Sequence, residues 1–154
     1  SENYPKQLDI SLNFKEAGLF LKIDSSIYST FAEKYNGYTL YIVNKSDTIV
    51  KLDASDSRLY VIAEVFVDNK WQPIEYLPSS WCGNSYHYVY LKPNQYWTFT
   101  IPKYKGKIKT KIRYRLLIGN EYIYSNEITA GINKKQFTKK QGHKPSGLMD
   151  PYND

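Results

Sequence analysis

The sequence predicts an all-β fold in which about seven to nine short antiparallel strands form two packed sheets, followed by a basic C-terminal arm. Three observations support this prediction. Aromatic residues make up 16% of the chain, including 16 Tyr, and such residues favour strands. Apolar residues alternate with polar ones in several short runs. Turn-forming residues separate these runs at intervals of about eight to twelve residues.

The composition sets the scale of the fold and excludes several kinds of site. A chain of 154 residues with 42% hydrophobic side chains supports one core. One Cys excludes an internal disulfide, and two His with one Cys are too few for a structural zinc site, so we expect no metal and no other cofactor.

The first elements follow from local patterns. Leu8, Ile10, Leu12 and Phe14 alternate with polar residues, which predicts a half-buried strand. A glycine-containing connection at Gly18 leads to a second strand over residues 19–23. Residues 25–35 carry apolar side chains at spacings of four after a serine cap, which predicts a short helix.

The middle of the chain is predicted to form strands that differ in how far their faces are buried. Residues 38–43 form an apolar run, and residues 58–67 are apolar on both faces except at Glu64, which is typical of a central strand. Residues 68–70 predict a turn. Pro73 then places the following strand at an edge or a bulge because it lacks an N–H donor.

The remaining strands are predicted over residues 86–91, 97–101, 108–116 and 122–132. In the segment 108–116, the residues Thr110, Ile112, Tyr114 and Leu116 are expected to face the core. Beyond residue 132 the alternation stops. We therefore divide the chain into a sandwich domain, 1–132, and a basic tail or docking arm, 133–154.

The phrase from Leu91 to Asn94, together with Trp97-Thr98-Phe99 and residues 113–116, resembles the closing strands of immunoglobulin-like and fibronectin type III-like domains. The resemblance covers roughly residues 38 to 132. It implies an immunoglobulin-like sandwich in which Tyr114 is a corner tyrosine with its hydroxyl bonded to nearby backbone. The chain is also similar to small, uncharacterised exported lipoproteins of Gram-negative bacteria. That likeness implies a periplasmic or outer-membrane surface location, with membrane contact only through a lipid anchor before Ser1.

Charge is distributed unevenly: residues 1–102 carry a net charge of −2 and residues 103–154 a net charge of +8. Cations at every second position from Lys103 to Arg115 predict a basic strand face that could meet an acidic glycan, another polyanion or an acidic protein. A solvated face that guards against edge pairing is the alternative. The candidate binding residues are Lys109, Lys111, Arg113 and Arg115 on this face, Trp81 in a loop, Tyr86, Tyr88 and Tyr90 on one strand, and Lys134, Lys135, Lys139 and Lys140 in the arm.

We predict no catalytic residues. Cys82 and His87 are close enough in sequence to suggest a Cys-His pair, but nothing in the sequence orients them. Glu64 and Glu75 are expected to be separate carboxylates, which disfavours a glycosidase.

The sequence therefore predicts a non-enzymatic protein-interaction or accessory subunit of a bacterial cell-envelope assembly, with another envelope protein as its partner. One alternative is a module that binds acidic glycan or polyanion through the basic strand face. Another is an inhibitor or immunity protein that acts through a loop. Nucleic acid is not expected as a partner, because no recognition helix, zinc finger or RNA-binding aromatic motif accompanies the charges.

Overall fold

The computed structural model describes residues 3–31, 34–77 and 85–137 of the chain. These residues form an all-β protein, as predicted. The described strands are β1 (Lys6–Gln7), β2 (Leu19–Phe31), β3 (Tyr35–Asn44), β4 (Val50–Ser55), β5 (Arg58–Leu59), β6 (Val61–Val67), β7 (Lys70–Pro73), β8 (Tyr86–Leu91), β9 (Gln95–Pro102), β10 (Ile108–Ile118), β11 (Glu121–Tyr124) and β12 (Ile128–Ile132).

The strands pair into three antiparallel sheets. The first has the order β1-β9-β3-β2, and the second has the order β11-β10-β6-β7 with β12 also paired to β10. The third is a small sheet in the order β5-β4-β8. Antiparallel pairing holds in every ladder of the described strands.

One main hydrophobic core connects the three sheets. It contains Leu40 and Ile42 of β3, Leu52 of β4, and Ile112 and Leu116 of β10, all at most 3% exposed. The alternation in β10 works as predicted, since every second residue from Ile112 to Leu116 is buried and the intervening residues are not. This alternation places the basic residues of β10 on the opposite side of the sheet.

The hairpin between β6 and β7 also matches the prediction. Asp68 and Asn69 both have positive φ, at 54° and 62°, which suits the tight turn of a two-residue hairpin. Pro73 ends β7, the strand at the edge of the five-stranded sheet, where its missing N–H breaks no ladder on the outer side.

The helix predicted over residues 25–35 is wrong. Strand β2 continues to Phe31, and β3 begins at Tyr35. The two strands pair along their length, with an irregularity between Asp24 and Ser29 that shifts the register. Ile, Tyr, Thr and Phe in this segment have higher strand than helix propensity, and the long ladder with β3 overrides the four-residue spacing.

The strand predicted over residues 8–14 is also wrong. Strand β1 ends at Gln7, and Ile10 is fully exposed. Leu8, Leu12 and Phe14 instead pack on a second apolar cluster formed by the four-stranded sheet. Phe14 contacts the rings of its neighbours Phe20 and Tyr41 edge to face, with ring centres 5.5 and 5.2 Å apart. The apolar residues cover a sheet face without joining a ladder, which produces a pattern similar to that of a strand.

The described chain continues past residue 132 in an ordered form. A 3-10 helix spans Lys134–Gln136, and Phe137 packs against the main core. The rest of the predicted arm, residues 138–154, lies outside the described residues. Among the residues that the structure describes, no helix has the length and apolar character needed to cross a membrane.

Candidate binding surfaces

Two arginines of β10 share one buried carboxylate. Glu64 of β6 lies directly opposite Arg113 in the ladder, and its side chain is 4% exposed. Arg113 donates to Glu64 Oε2 through Nε and Nη2, both at 3.0 Å, while Arg115 Nη1 lies 2.8 Å from Oε1. The arginine side chains are only 19% and 21% exposed. One carboxylate therefore pairs with two guanidinium groups at a largely desolvated position.

Aromatic rings cover both guanidinium groups. Arg113 lies between Trp71 of β7, 4.1 Å from the ring centre, and Tyr124 of β11, 3.8 Å from the ring centre. Arg115 lies 4.6 Å from the ring centre of Tyr122. Strand register explains the arrangement, because β7 and β11 flank the central pair β6-β10 and place their rings on the same side.

We call this surface the Arg–aromatic face, defined by residues that share the outer side of the five-stranded sheet: Glu64, Phe66, Trp71, Arg113, Arg115, Tyr122 and Tyr124. Three of its rings remain substantially exposed, at 41% for Phe66, 43% for Tyr122 and 44% for Tyr124. The face is therefore amphipathic, with stacked cations between partly exposed rings.

These contacts correct part of the prediction of a basic strand face. The four cations do lie on the side of β10 away from the core, but only Lys109 and Lys111 are exposed. Lys111 lies 3.4 Å from Glu127 in an exposed ion pair. Arg113 and Arg115 are held by Glu64, so the strand does not present four solvated charges. A strand's own sequence shows its alternation, but it does not reveal an acidic residue on the neighbouring strand.

The tyrosines of β8 occupy a different sheet. Tyr88 and Tyr90 are 53% and 54% exposed, while Tyr86 is half-buried. Lys51 of the neighbouring β4 lies 3.6 Å above the Tyr88 ring. The rings of Tyr88 and Tyr90 are thus accessible, and they belong to a different sheet from the Arg–aromatic face.

Several other predicted residues are not brought together by the described structure. Lys134 and Lys135 are exposed in the 3-10 helix, while Lys139 and Lys140 lie outside the described residues, as do Trp81 and Cys82. His87 is exposed, and its Nδ1 lies 2.9 Å from the carbonyl oxygen of Ser85. A contact between Cys82 and His87, for which the sequence gives no support, lies outside the described residues.

A cleft of about 490 Å³ opens where the segment after β9 crosses β12. We call it the lysine cleft because Lys103, Lys105 and Lys109 line it together with Tyr38 and Tyr104. Its other lining residues are apolar or small, with Tyr114 and a single threonine as the remaining polar side chains: Ile101, Pro102, Gly106, Ile112, Tyr114, Ile128, Thr129, Ala130 and Gly131. None of these described lining residues is acidic.

Close backbone contact builds one wall of the lysine cleft. A Cβ atom on Gly106 would lie 2.1 Å from the carbonyl carbon of Ile132, and one on Gly131 would lie 2.7 Å from the nitrogen of Gly106. Glycine at both positions is what lets the crossing segment lie directly on β12. The Gly131 N–H also donates to the Tyr104 carbonyl at 3.3 Å.

Glu75 connects the cleft to the sheet interior. Its Oε1 accepts hydrogen bonds from the hydroxyls of Tyr104, at 2.6 Å, and Tyr114, at 3.2 Å, and its Oε2 accepts one from the N–H of Ala63 at 3.0 Å. Burial and the neighbouring carboxylate raise the pKa of both phenols well above the usual range. The expectation that the Tyr114 hydroxyl bonds to backbone is therefore wrong, because the hydroxyl donates its hydrogen bond to the Glu75 carboxylate.

Sequence reasoning missed Trp71, Tyr122 and Tyr124 as companions of the arginines. A partial signal was present, since Glu64 is the one charged residue in an apolar central strand and predicts a cationic neighbour. Sequence reasoning also left Lys103 and Lys105 out of the candidate binding residues, although both belong to the series of cations at odd-numbered positions.

The described residues contain no group of three or more His, Cys, Asp or Glu side chains arranged to hold a metal ion. Comparisons of the chain with protein-family models, with curated proteins and with solved structures found no match.

Proposed function

We propose that the protein is a non-enzymatic protein-binding module, an accessory subunit of a bacterial cell-envelope assembly, and that it docks through the Arg–aromatic face. The observation that carries this proposal is the placement of Arg113 between Trp71 and Tyr124 beside three partly exposed rings. Trp, Tyr and Arg are the residue types that dominate binding energy at protein interfaces.

The rigidity of the face supports the same function. Each guanidinium is held by Glu64 and by at least one ring, so these side chains have already lost most of their rotational freedom before binding. Ordering a long side chain at an interface costs about 0.5–1.5 kcal/mol, and a preformed cluster avoids much of that cost.

The charge of the face indicates the chemistry of the partner. Glu64 pairs with both arginines but carries one negative charge against their two positive charges, and Lys109 and Lys111 extend the same side of β10. We infer a partner surface that is apolar at its centre, to cover Phe66 and the tyrosines, and acidic at its rim.

A two-sheet immunoglobulin-like sandwich is the finer fold assignment in this proposal. Strand pairing supports it: β3 pairs with β2 and β9, while β10 pairs with β6 and with the closing strands β11 and β12. In immunoglobulin-type domains the second strand likewise pairs with the first and fifth, and the sixth with the third and seventh. On this assignment, the small β5-β4-β8 sheet is an addition to the two sheets of the sandwich.

The test is a capture experiment followed by a binding measurement with the purified partner. The tagged full chain is incubated with solubilised envelope proteins, the stoichiometric partner is identified and purified, and its affinity is measured by calorimetry. We expect Tyr124→Ala to weaken that affinity by about tenfold or more, because it removes an exposed ring and unstacks Arg113.

Tyr88→Ala is the matched control, since it removes another exposed tyrosine ring from a different sheet. Equal affinity of the Tyr124→Ala variant and the unsubstituted chain would contradict docking through the Arg–aromatic face. A partner that is lost only on deletion of residues 138–154 would place docking on the predicted arm instead.

A further inference from the structure

The lysine cleft has the size of a small-molecule site. Its volume of about 490 Å³ lies within the range of roughly 300–1,000 Å³ that is usual for ligand pockets. Its wall is preformed, because Gly106 lies directly on the backbone of β12 and the Lys107 N–H donates to Asn133 Oδ1 at 3.2 Å. The Lys103 N–H donates to the Asn36 carbonyl at 3.1 Å, which fixes the other end of the segment.

The electrostatics of the cleft favour an anion. Three lysines line it, and none of the described lining residues is acidic. Lys105 and Lys109 are exposed, and neither forms an ion pair with another described residue. Ammonium groups grouped around a concave surface focus a positive potential, which raises the local concentration of anions.

The Glu75 carboxylate accepts hydrogen bonds from two tyrosines that line the cleft. Both tyrosines that separate it from the opening, Tyr104 and Tyr114, direct their hydroxyl protons to this carboxylate. The carboxylate is not among the lining groups of the cleft.

Aromatic and apolar surface in the cleft adds a second requirement for the ligand. Tyr38 and Tyr104 line it beside Ile112 and Ile128, so the ligand must offer weakly polar faces as well as negative charge. A sugar ring that bears a carboxylate meets both requirements: its carboxylate pairs with ammonium groups, and its ring face packs against aromatic rings. A bare inorganic anion would use the lysines alone.

We propose that the lysine cleft binds an acidic oligosaccharide of the uronate type. Lys105 and Lys109 bind its carboxylates, and Tyr38 and Tyr104 contact its rings. This inference goes beyond the proposed protein-binding function. The cleft and the Arg–aromatic face have no residue in common, although Lys109 lies on the same side of β10 as that face.

The experiment is a titration of the full chain with trigalacturonate, in which binding is measured by calorimetry and by changes in amide NMR chemical shifts. Maltotriose is the neutral control ligand, and inorganic phosphate is the control for a bare anion. We expect saturable binding of trigalacturonate, with shifts at the amides of Gly106 and Gly131 and none at Tyr124. Raising the salt concentration from about 0.05 M to about 0.5 M should weaken this binding, because exposed charges are screened.

Substitutions then locate the site. The Lys105→Gln/Lys109→Gln variant is expected to lose about tenfold or more in affinity, the scale of one or two charge-assisted hydrogen bonds. Lys111→Gln is the matched control on the same strand, since Lys111 is paired with Glu127 and does not line the cleft. All three lysines are exposed, so we expect these variants to fold.

Three outcomes would overturn the inference. Failure of trigalacturonate to bind, or binding that the double lysine variant leaves unchanged, would show that the cleft is not its site. Phosphate binding as tight as trigalacturonate binding would show a site for any anion and remove the sugar from the proposal.

Discussion

Strand β10 contributes basic residues to two surfaces that treat positive charge in opposite ways. Near its start, Lys109 is exposed and lines the lysine cleft, which has no acidic lining residue among those described. Farther along, Arg113 and Arg115 are about four-fifths covered and share the buried Glu64 carboxylate. The same alternation along one strand therefore gives a solvated charge at one end and compensated charges at the other.

The residue types fit this difference. A guanidinium is planar and weakly hydrated, so it stacks on rings and accepts partial burial, as Arg113 does between Trp71 and Tyr124. An ammonium is compact and strongly hydrated, so it remains in water, as Lys105 and Lys109 do. The basic residues of β10 are therefore structural groups where Glu64 and aromatic rings surround them, and accessible groups where the neighbouring residues on β12 are Gly131 and Thr129.

The largest expected effect tests the compensated end. Glu64→Ala leaves two arginines in a largely desolvated position without their carboxylate, so we expect a loss of about 3–5 kcal/mol in the free energy of unfolding. Chemical denaturation at neutral pH measures this. Glu127→Ala is the control, because its partner Lys111 is 64% exposed and such pairs contribute about 0–1 kcal/mol. Similar losses of unfolding free energy in the two variants would contradict the difference that we infer between the two ends of β10.

The next effect tests how the cleft is built. Gly106→Ala forces a Cβ atom to within 2.1 Å of the Ile132 backbone, where no flexible side chain can move aside. We expect a loss of about 3 kcal/mol or more, since overpacking of this kind requires a backbone shift. Gly18→Ala serves as the control: it has open space and suffers only from its positive φ of 70°, which costs about 1–2 kcal/mol. Equal thermal stability of the two variants would show that the crossing segment adjusts freely.

A smaller effect separates the two kinds of cation. Arg113→Lys keeps the charge but loses the planar stack between Trp71 and Tyr124, so we expect a loss of about 1–2 kcal/mol. The reciprocal change, Lys109→Arg at the exposed end, should alter the unfolding free energy by less than about 0.5 kcal/mol. If Arg113→Lys is as neutral as Lys109→Arg, stacking does not distinguish the two ends.

The last effect is absent at neutral pH and appears only in alkali. It concerns the phenols of Tyr104 and Tyr114, which line the lysine cleft. The pKa values of Tyr104 and Tyr114 are raised, so the folded state favours their protonated forms. That stabilisation is fully present below the unfolded-state value of about 10 and is lost as the pH rises above it.

Denaturant titrations at pH values from about 8 to 11 measure this loss. We expect stability to fall above about pH 10, and to fall less steeply in a Tyr104→Phe/Tyr114→Phe variant. Some slope should remain, because burial also raises the pKa of Tyr60 to about 12. An unchanged slope in the double variant would show that the phenols near Glu75 do not couple to folding.

Local patterns were sufficient where a segment's own alternation decided its environment. In β10 the buried Ile112, Tyr114 and Leu116 follow from period two, and the hairpin at Asp68 and Asn69 follows from residues that tolerate positive φ. Local patterns misled where two environments produce the same spacing. Leu8, Leu12 and Phe14 alternate like a strand but cover a sheet from a loop.

The amino-acid pattern was sufficient to predict the all-β class and the buried side of β10. Which charges are paired, and where an opening remains, depends on the tertiary structure. Glu64 and Arg113 are 49 residues apart, and the Tyr104 hydroxyl reaches Glu75 from 29 residues away. Such contacts depend on strand order and register across the sheets, and period-two patterning constrains the face of a residue without specifying its neighbour.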